Sequence, residues 1–247
     1  MTDSLKTLAK ALIAAHDGGP LVGPLDASQV PADIEAVYAL QNEIIAGIGP
    51  VGGWKILAGG EGTPICAPIP SNRFFANGAT LDAKTHRFFI AEVEVAVLLG
   101  ANLFCPVTRS DVEAAIASVN PALEICGNPF VDRDATPRNL QLGDLQSNGA
   151  VVVGAALPTD IRSALPTLPV ALTYDSAPVK DVASGASWDD IVAALVWLAP
   201  HAEARGLPLK AGQTIITGAR IAAPLGTPDT VEGKFGDWGR VTARFTH

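Results

Sequence analysis

Two carboxylates interrupt an otherwise apolar stretch at residues 88–99, FFIAEVEVAVLL. Val, Ile, Phe and Leu at this density, closed by Gly100, predict a long β-strand. Side chains alternate between the faces of a strand, so Phe89, Ala91, Val93, Val95, Val97 and Leu99 share one wholly apolar face. Glu92 and Glu94 fall side by side on the other, about 6 to 7 Å apart. Apolar residues on both faces predict a strand covered on both sides. Carboxylates in such a place repel each other and resist ionisation unless donors or a cation compensate. A divalent metal with oxygen ligands would do so. The plainer alternative is a strand that starts at a sheet margin, with both Glu side chains in water or paired with Lys or Arg.

Three more charged side chains stand in apolar surroundings. Lys55 is the only charge between Val51 and Gly60, in a predicted short strand over 51–57. An ammonium there either snorkels to water or faces an anion. Glu124 is the one carboxylate in the predicted strand Pro121–Cys126, and Asp144 precedes a predicted buried strand over 150–153. All-oxygen ligation by such carboxylates suits Mg²⁺ or Mn²⁺ and disfavours zinc. The sequence has no Gly-x-Ser-x-Gly elbow, no phosphate loop and no dinucleotide fingerprint, and His16, His86, His201 and His247 are scattered. Serine-triad hydrolysis and nicotinamide chemistry are therefore not expected. Gln41 lies on a helical apolar stripe and His201 near another; both read first as packed polar groups.

The elements that must place these groups follow from periodicity and punctuation. Leu5, Leu8, Leu12 and Ile13 predict an amphipathic helix over 2–16, and Pro31 opens a second with Asp33 and Glu35 in its first turn. Pro, Asn and Gly between 64 and 82 predict irregular structure or short strands. Ser110 to Glu113 has the form of a capping box for a helix with Val112, Ala115, Ile116 and Val119 inward, stopped by Asn120-Pro121. Strands over 170–174 and 179–182 pair around Asp175 to Pro178. Ser187 caps a helix running to about Arg205, ended by Gly206. A strand over 213–217 leads into a small-residue loop, Thr217-Gly218-Ala219, and a hairpin around Gly236 to Gly239 closes the chain.

Composition narrows the function classes. The 247 residues are 48% hydrophobic and 17% charged, with net charge −8, which describes a globular chain. The acidic balance argues against nucleic acid or an anionic membrane as a partner. An anionic substrate then needs a local cation. Three widely spaced cysteines match no zinc pattern and read as buried thiols in a reducing cytoplasm. No apolar run is long enough to span a membrane.

In order along nearly the whole chain, six motifs resemble one family. They are Tyr38-Ala39-Leu40-Gln41, Val51-Gly52-Gly53-Trp54-Lys55-Ile56, Ala91-Glu92-Val93-Glu94, Pro121-Ala122-Leu123-Glu124-Ile125, Trp197-Leu198-Ala199 and Thr217-Gly218-Ala219. The set is similar to the 2-keto-4-pentenoate hydratases of the fumarylacetoacetate hydrolase superfamily. The resemblance implies an α+β fold: a mixed β-sheet barrel or roll of the fumarylacetoacetate hydrolase C-terminal type, with N-terminal helices packed on it. It divides the chain into an N-terminal helical segment, 1–50, and a mixed-β catalytic domain, 51–247, in one compact unit.

By the same resemblance Glu92, Glu94 and Glu124 are the metal ligands, Lys55 faces the substrate, Asp144 is an acid/base lining the site, and Thr217, Gly218 and Ala219 form the loop over it. It also implies a cytoplasmic homo-oligomer that adds water to a 2-hydroxy-dienoate or 2-oxo-enoate in catabolism of aromatic or related compounds. Relatives on the same metal site are decarboxylases and C–C hydrolases of 2-oxo acids, and a non-catalytic metal-binding subunit is a further alternative. The chain departs from the hydratase pattern at Pro129, where an Arg is usual, at Leu145, where an Asn is usual, and at Trp188. Arg133, Arg138 and Arg220 are the candidates to replace the missing cation.

Overall fold

In the computed structural model, which describes residues 3–247, two helices lead into the strands. Helix α1 (Asp3–His16) buries Leu8, Leu12 and Ala15 against α2 (Ile34–Ile48), which buries Val37, Leu40 and Ile44 on one stripe. Asp33 lies just outside α2 as its N-cap, accepting the Ala36 N–H at 2.8 Å. The first strands are β1 (Val51–Ile56), β2 (Cys66–Pro70), β3 (Phe74–Ala76) and β4 (Thr80–Asp82); the short turn α3 (Ala83–His86) precedes β5 (Phe88–Leu99). After it come α4 (Arg109–Ala115), β6 (Ile116–Gly127), α5 (Arg138–Gly143), β7 (Asn148–Val153) and the single turn α6 (Ile161–Ala164). The chain ends with β8 (Val170–Tyr174), β9 (Ala177–Val182), α7 (Trp188–Ala204), β10 (Thr214–Pro224), β11 (Thr230–Phe235) and β12 (Gly239–Thr246).

The strands form two mixed sheets. The larger has the order β2-β1-β10-β5-β6-β7-β3, with β1 parallel to β10 and β3 parallel to β7. The smaller has the order β4-β12-β11-β8-β9. The apolar face expected of β5 is buried: Ala91, Val93, Val95 and Val97 share one core with Val231, Phe235 and Val241 of the smaller sheet and with Leu195 and Leu198 of α7. Contact is close enough that a Cβ on Gly233 of β11 would lie 2.9 Å from Val93 Cγ1, so any larger residue there would force a shift in the core. A second core joins α1 and α2 to Ala67, Phe130, Leu140 and Leu145. This α+β arrangement of mixed sheets with N-terminal helices is the architecture expected from the sequence.

Three local expectations change. The box at the start of α4 is made by Thr108 and Asp111, with Thr108 N–H donating to Asp111 Oδ2 at 2.8 Å, and not by Ser110 and Glu113. Residues 116–120 are strand: Val119 pairs with Val97 and Asn120 with Ala96, because the far end of β5 needs backbone partners and Ile116 and Val119 suit a strand as well as a helix. Thr217-Gly218-Ala219 is no free loop but part of β10, whose pairing with β5 is irregular between Ile216 and Ala219 and again between Ala219 and Ile221. Among the described residues no helix is long and apolar enough to cross a membrane.

Candidate active site

Strand pairing brings the carboxylates together. In the antiparallel register of β5 and β6, Glu92 stands opposite Glu124 and Glu94 opposite Ala122. On the other side of β5, Ala219 faces Glu94. β1 runs beside β10 with Lys55 level with Ile216, which delivers the ammonium to the same side of the sheet. Lys55, Glu92, Glu94, Gln146, Gly218 and Ala219 line one cavity of about 280 Å³. Glu124 is not among the lining residues but is tied to them through Lys55: Lys55 Nζ donates to both Glu124 oxygens at 2.7 Å and to the Gln146 carbonyl at 3.2 Å.

Burial decides the charge states. By itself it would pull the Lys55 ammonium down, but Glu124 above all, with Cys126, Glu92 and Glu94, holds its pKa above the ordinary lysine value. Burial pushes Glu92 up to about 7, opposed by Lys55 and Arg133 and reinforced by Glu124. Burial also raises Glu94 well above the usual carboxylate range, and the neighbouring Glu124 and Glu92 add to it. Against this, Gly218 N–H donates to Glu94 Oε2 at 2.7 Å. Thr217 Oγ1 donates to the Val95 carbonyl at 2.8 Å and ties the bulged segment to β5. Gly218 has φ +105°, and a Cβ there would lie 2.6 Å from Leu57 Cδ1. Glycine thus meets both the backbone and the space requirement.

The donor set fits a hard divalent cation. Three carboxylates around one ammonium would carry excess negative charge once ionised, which a bound divalent cation would compensate. One ligand atom each from Glu92, Glu124 and Cys126 lies within 4.8 Å of the others. Burial keeps the Cys126 thiol protonated, its pKa raised well above the usual, so the oxygens are the stronger ligands. Cys126 had been read only as a buried thiol; its place two residues after Glu124 puts it on the same strand face.

Behind the cavity lies a turn of unusual backbone. Leu145, Gln146 and Ser147 have φ of 48°, 55° and 60°, three successive non-glycine residues in the left-handed region. Each such residue costs on the order of 1–2 kcal/mol, so neighbours must hold the turn. Leu145 does so by full burial in the N-terminal core, which explains a leucine at this departure from the hydratase pattern. Asn148 follows: its Nδ2 donates to Glu124 Oε1 at 2.9 Å, and its carbonyl accepts from Arg73 Nη1. No motif in the sequence pointed to Gln146 or Asn148, because a carbonyl and an amide acquire these roles only through the turn.

Asp144 is fully buried and is not among the residues lining the cavity. Its Oδ1 lies 2.8 Å from His16 Nε2, at the end of α1, and its Oδ2 has no hydrogen-bond partner. Of the three arginines considered as replacement cations, Arg220 is committed elsewhere, donating to the carbonyls of Leu165 (2.8 Å) and Ala186 (2.9 Å). Pro129 accepts the Val22 N–H, and Trp188 packs under Arg162. Gln41 is a buried amide, donating to the Cys66 and Leu142 carbonyls. His201 stacks on Trp197, as a packed histidine should.

No family model matches the chain. It is 29% identical over 156 residues to a 4-oxalocrotonate decarboxylase of a Pseudomonas species, across 63% of this chain and 59% of that protein. The matched region therefore spans less than two thirds of that relative. With the 2-keto-4-pentenoate hydratase of Paraburkholderia xenovorans (strain LB400) it shares 26% identity over 224 residues, covering 85% of this chain and 83% of that protein. The structure of 4-oxalocrotonate decarboxylase from Pseudomonas putida G7, complexed with magnesium and adipate, superimposes with a TM-score of 0.83 at 23% identity, over 100% of this chain and 99% of that one. These similarities, together with a fold also found in a putative fumarylacetoacetate hydrolase family protein from Yersinia pestis CO92, support the fumarylacetoacetate hydrolase superfamily near its hydratase branch. Both the decarboxylases and the hydratases of the superfamily are thus among its relatives.

Proposed function

We propose that the chain is a divalent-metal-dependent lyase of small 2-oxo acids, first of all a hydratase that adds water to a 2-hydroxy-dienoate or 2-oxo-enoate. The observation that carries this reading is the convergence of Glu92, Glu94 and Lys55 on one cavity, with Glu124 bound to Lys55 Nζ. Glu92, Glu94 and Glu124 would hold Mg²⁺ or Mn²⁺. A bound metal supplies Lewis-acid stabilisation of negative charge at the substrate's carboxylate and 2-oxygen.

The protein's own part follows from its geometry. Lys55, kept protonated by its carboxylate neighbours, offers a positive charge where the 2-oxygen gains electron density. Gly218 N–H fixes Glu94, and Asn148 fixes Glu124, so that neither carboxylate rotates during the reaction. Asp144 is assigned a positioning role: bound to His16, it supports the turn that aims the Gln146 carbonyl at Lys55. Ile56 and Leu57 add apolar surface to the lining of the cavity.

A decarboxylase of a 2-oxo acid is the second reading, supported by the decarboxylase relatives in both sequence and fold. Incubation with Mg²⁺ and a 2-hydroxy-dienoate, and separately with an unsaturated 2-oxo diacid, tests both. A hydroxylated keto acid supports the hydratase and CO₂ the decarboxylase. Full metal binding and turnover in Glu92→Gln and Glu124→Gln would overturn the site.

A further inference from the structure

A separate cavity of about 280 Å³ lies where the end of α1 meets β4, the start of β5 and β7. It shares no lining residue with the carboxylate-lined one. Arg73, from the turn Ser71–Arg73 that precedes β3, contributes a buried guanidinium to it. Ile48, Phe75, Leu81 and Phe88 give it apolar walls.

The guanidinium lacks a counterion. Among the described residues no carboxylate lies within 4.0 Å of it. Its Nη1 donates to the Asn148 carbonyl; the other nitrogens have no protein partner among the described residues, yet none of them is sealed off. Burial lowers the Arg73 pKa from the ordinary arginine value, opposed only by the more distant Asp144, Asp17 and Glu124. An arginine so placed gains most from a carboxylate that meets its planar fork in two parallel hydrogen bonds.

The other titratable groups around the cavity leave that place open. Asp17 and Asp82 are exposed, and both Asp82 oxygens accept from Thr85. His16 Nε2 is held by Asp144 at 2.8 Å, and His86 Nδ1 donates to the His16 carbonyl at 3.0 Å. Among the described residues the His and Asp side chains of this cavity form no group that could hold a metal ion. Apolar walls disfavour a strongly hydrated ion and favour an acid with an apolar body.

We infer that this cavity binds a small monocarboxylic acid with an aromatic or branched body, its carboxylate held by Arg73 and its body packed against Phe75, Leu81 and Phe88. The site stands independently of the proposed 2-oxo acid chemistry. Two hydrogen bonds separate it from the carboxylates: Asn148, whose carbonyl accepts from Arg73, gives its side-chain amide to Glu124.

Titration of the chelator-treated protein with 4-fluorobenzoate, followed by fluorine NMR, tests this apart from any carboxylate bound to a metal. Saturable one-to-one binding with a Kd on the order of 1 mM or tighter is expected. The uncharged 4-fluorobenzamide, of the same shape, should bind at least about tenfold more weakly, and Arg73→Met should weaken the acid to the same extent. Because that variant alters a buried side chain, two exposed lining positions keep the test free of folding effects. Asp17→Asn should tighten binding about two- to fivefold, and Asn72→Asp should weaken it by as much. No saturable binding, equal affinity for the amide, full affinity in Arg73→Met, or unchanged affinity in both surface variants would overturn the site. Displacement of 4-fluorobenzoate by an equal concentration of inorganic phosphate would overturn its assignment to an apolar acid.

Discussion

Lys55 Nζ donates to both oxygens of Glu124, each at 2.7 Å, with the lysine side chain 12% exposed and the glutamate fully buried. The same carboxylate receives Asn148 Nδ2, and one of its oxygens faces Glu92 and Cys126. One glutamate thus links the ammonium, the candidate metal position and the strained turn.

Removing the ammonium strands that carboxylate. Lys55→Met is expected to lower the stability of the chelator-treated protein by about 3 to 5 kcal/mol, as for other broken buried pairs. Mg²⁺ should restore much of the loss, because a bound cation replaces the missing charge. Melting curves with EDTA and with Mg²⁺ check this. An equal deficit in both conditions would show that Lys55 acts through packing alone.

The carboxylates give the metal-free protein an inverted pH dependence. Burial raises Glu92 from 4.5 to about 7 in the folded chain. Between those values the folded state keeps a proton that the unfolded state has released, so stability falls as pH rises through the window. Chelator-treated protein should therefore melt at a lower temperature at about pH 8 than at about pH 5, and Glu92→Gln should flatten this slope. Metal affinity should change in the opposite sense, rising across the same window, since ligation needs the ionised form.

Gly218→Ala should affect Glu94 more than the fold. At φ +105° an alanine costs on the order of 1–3 kcal/mol, and its Cβ meets Leu57 at 2.6 Å. The shift withdraws the N–H that holds Glu94 Oε2. The expected outcome is a folded protein with weaker Mg²⁺ binding by calorimetry. Wild-type affinity would show that this hydrogen bond does not orient the ligand.

Asn148→Leu keeps the size of the side chain and removes the donor to Glu124. Loss of such an orienting partner typically costs about 10- to 100-fold in metal affinity. Titration with Mn²⁺, followed by electron paramagnetic resonance, reads that loss directly.

Much of the site was legible because its side chains break the patterns of their strands. Glu92, Glu94, Glu124 and Lys55 stand out as lone charges in apolar runs, and a period of two already puts the first pair on one face. The end of α4 was misread because Ile116 and Val119 satisfy a helical stripe and a strand equally well, and only the unpaired far end of β5 decides between them. Asp144 looked like an acid at the site's edge; its burial against His16 depends on α1 docking from the other end of the chain.

What the sequence alone determined is the chemical inventory and the class of fold: carboxylates and one lysine in apolar strands, two leading helices, and an ordered set of motifs. Composition and periodicity are local properties, and they survive without knowledge of contacts. The tertiary structure alone decided the pairings. Strand register sets Glu92 against Glu124, and the left-handed turn at 145–147 aims a main-chain carbonyl at Lys55 and leads into Asn148. These relations join residues up to 128 positions apart, as His16 and Asp144 are, and such distances close only when the burial of two cores outweighs the loss of chain entropy.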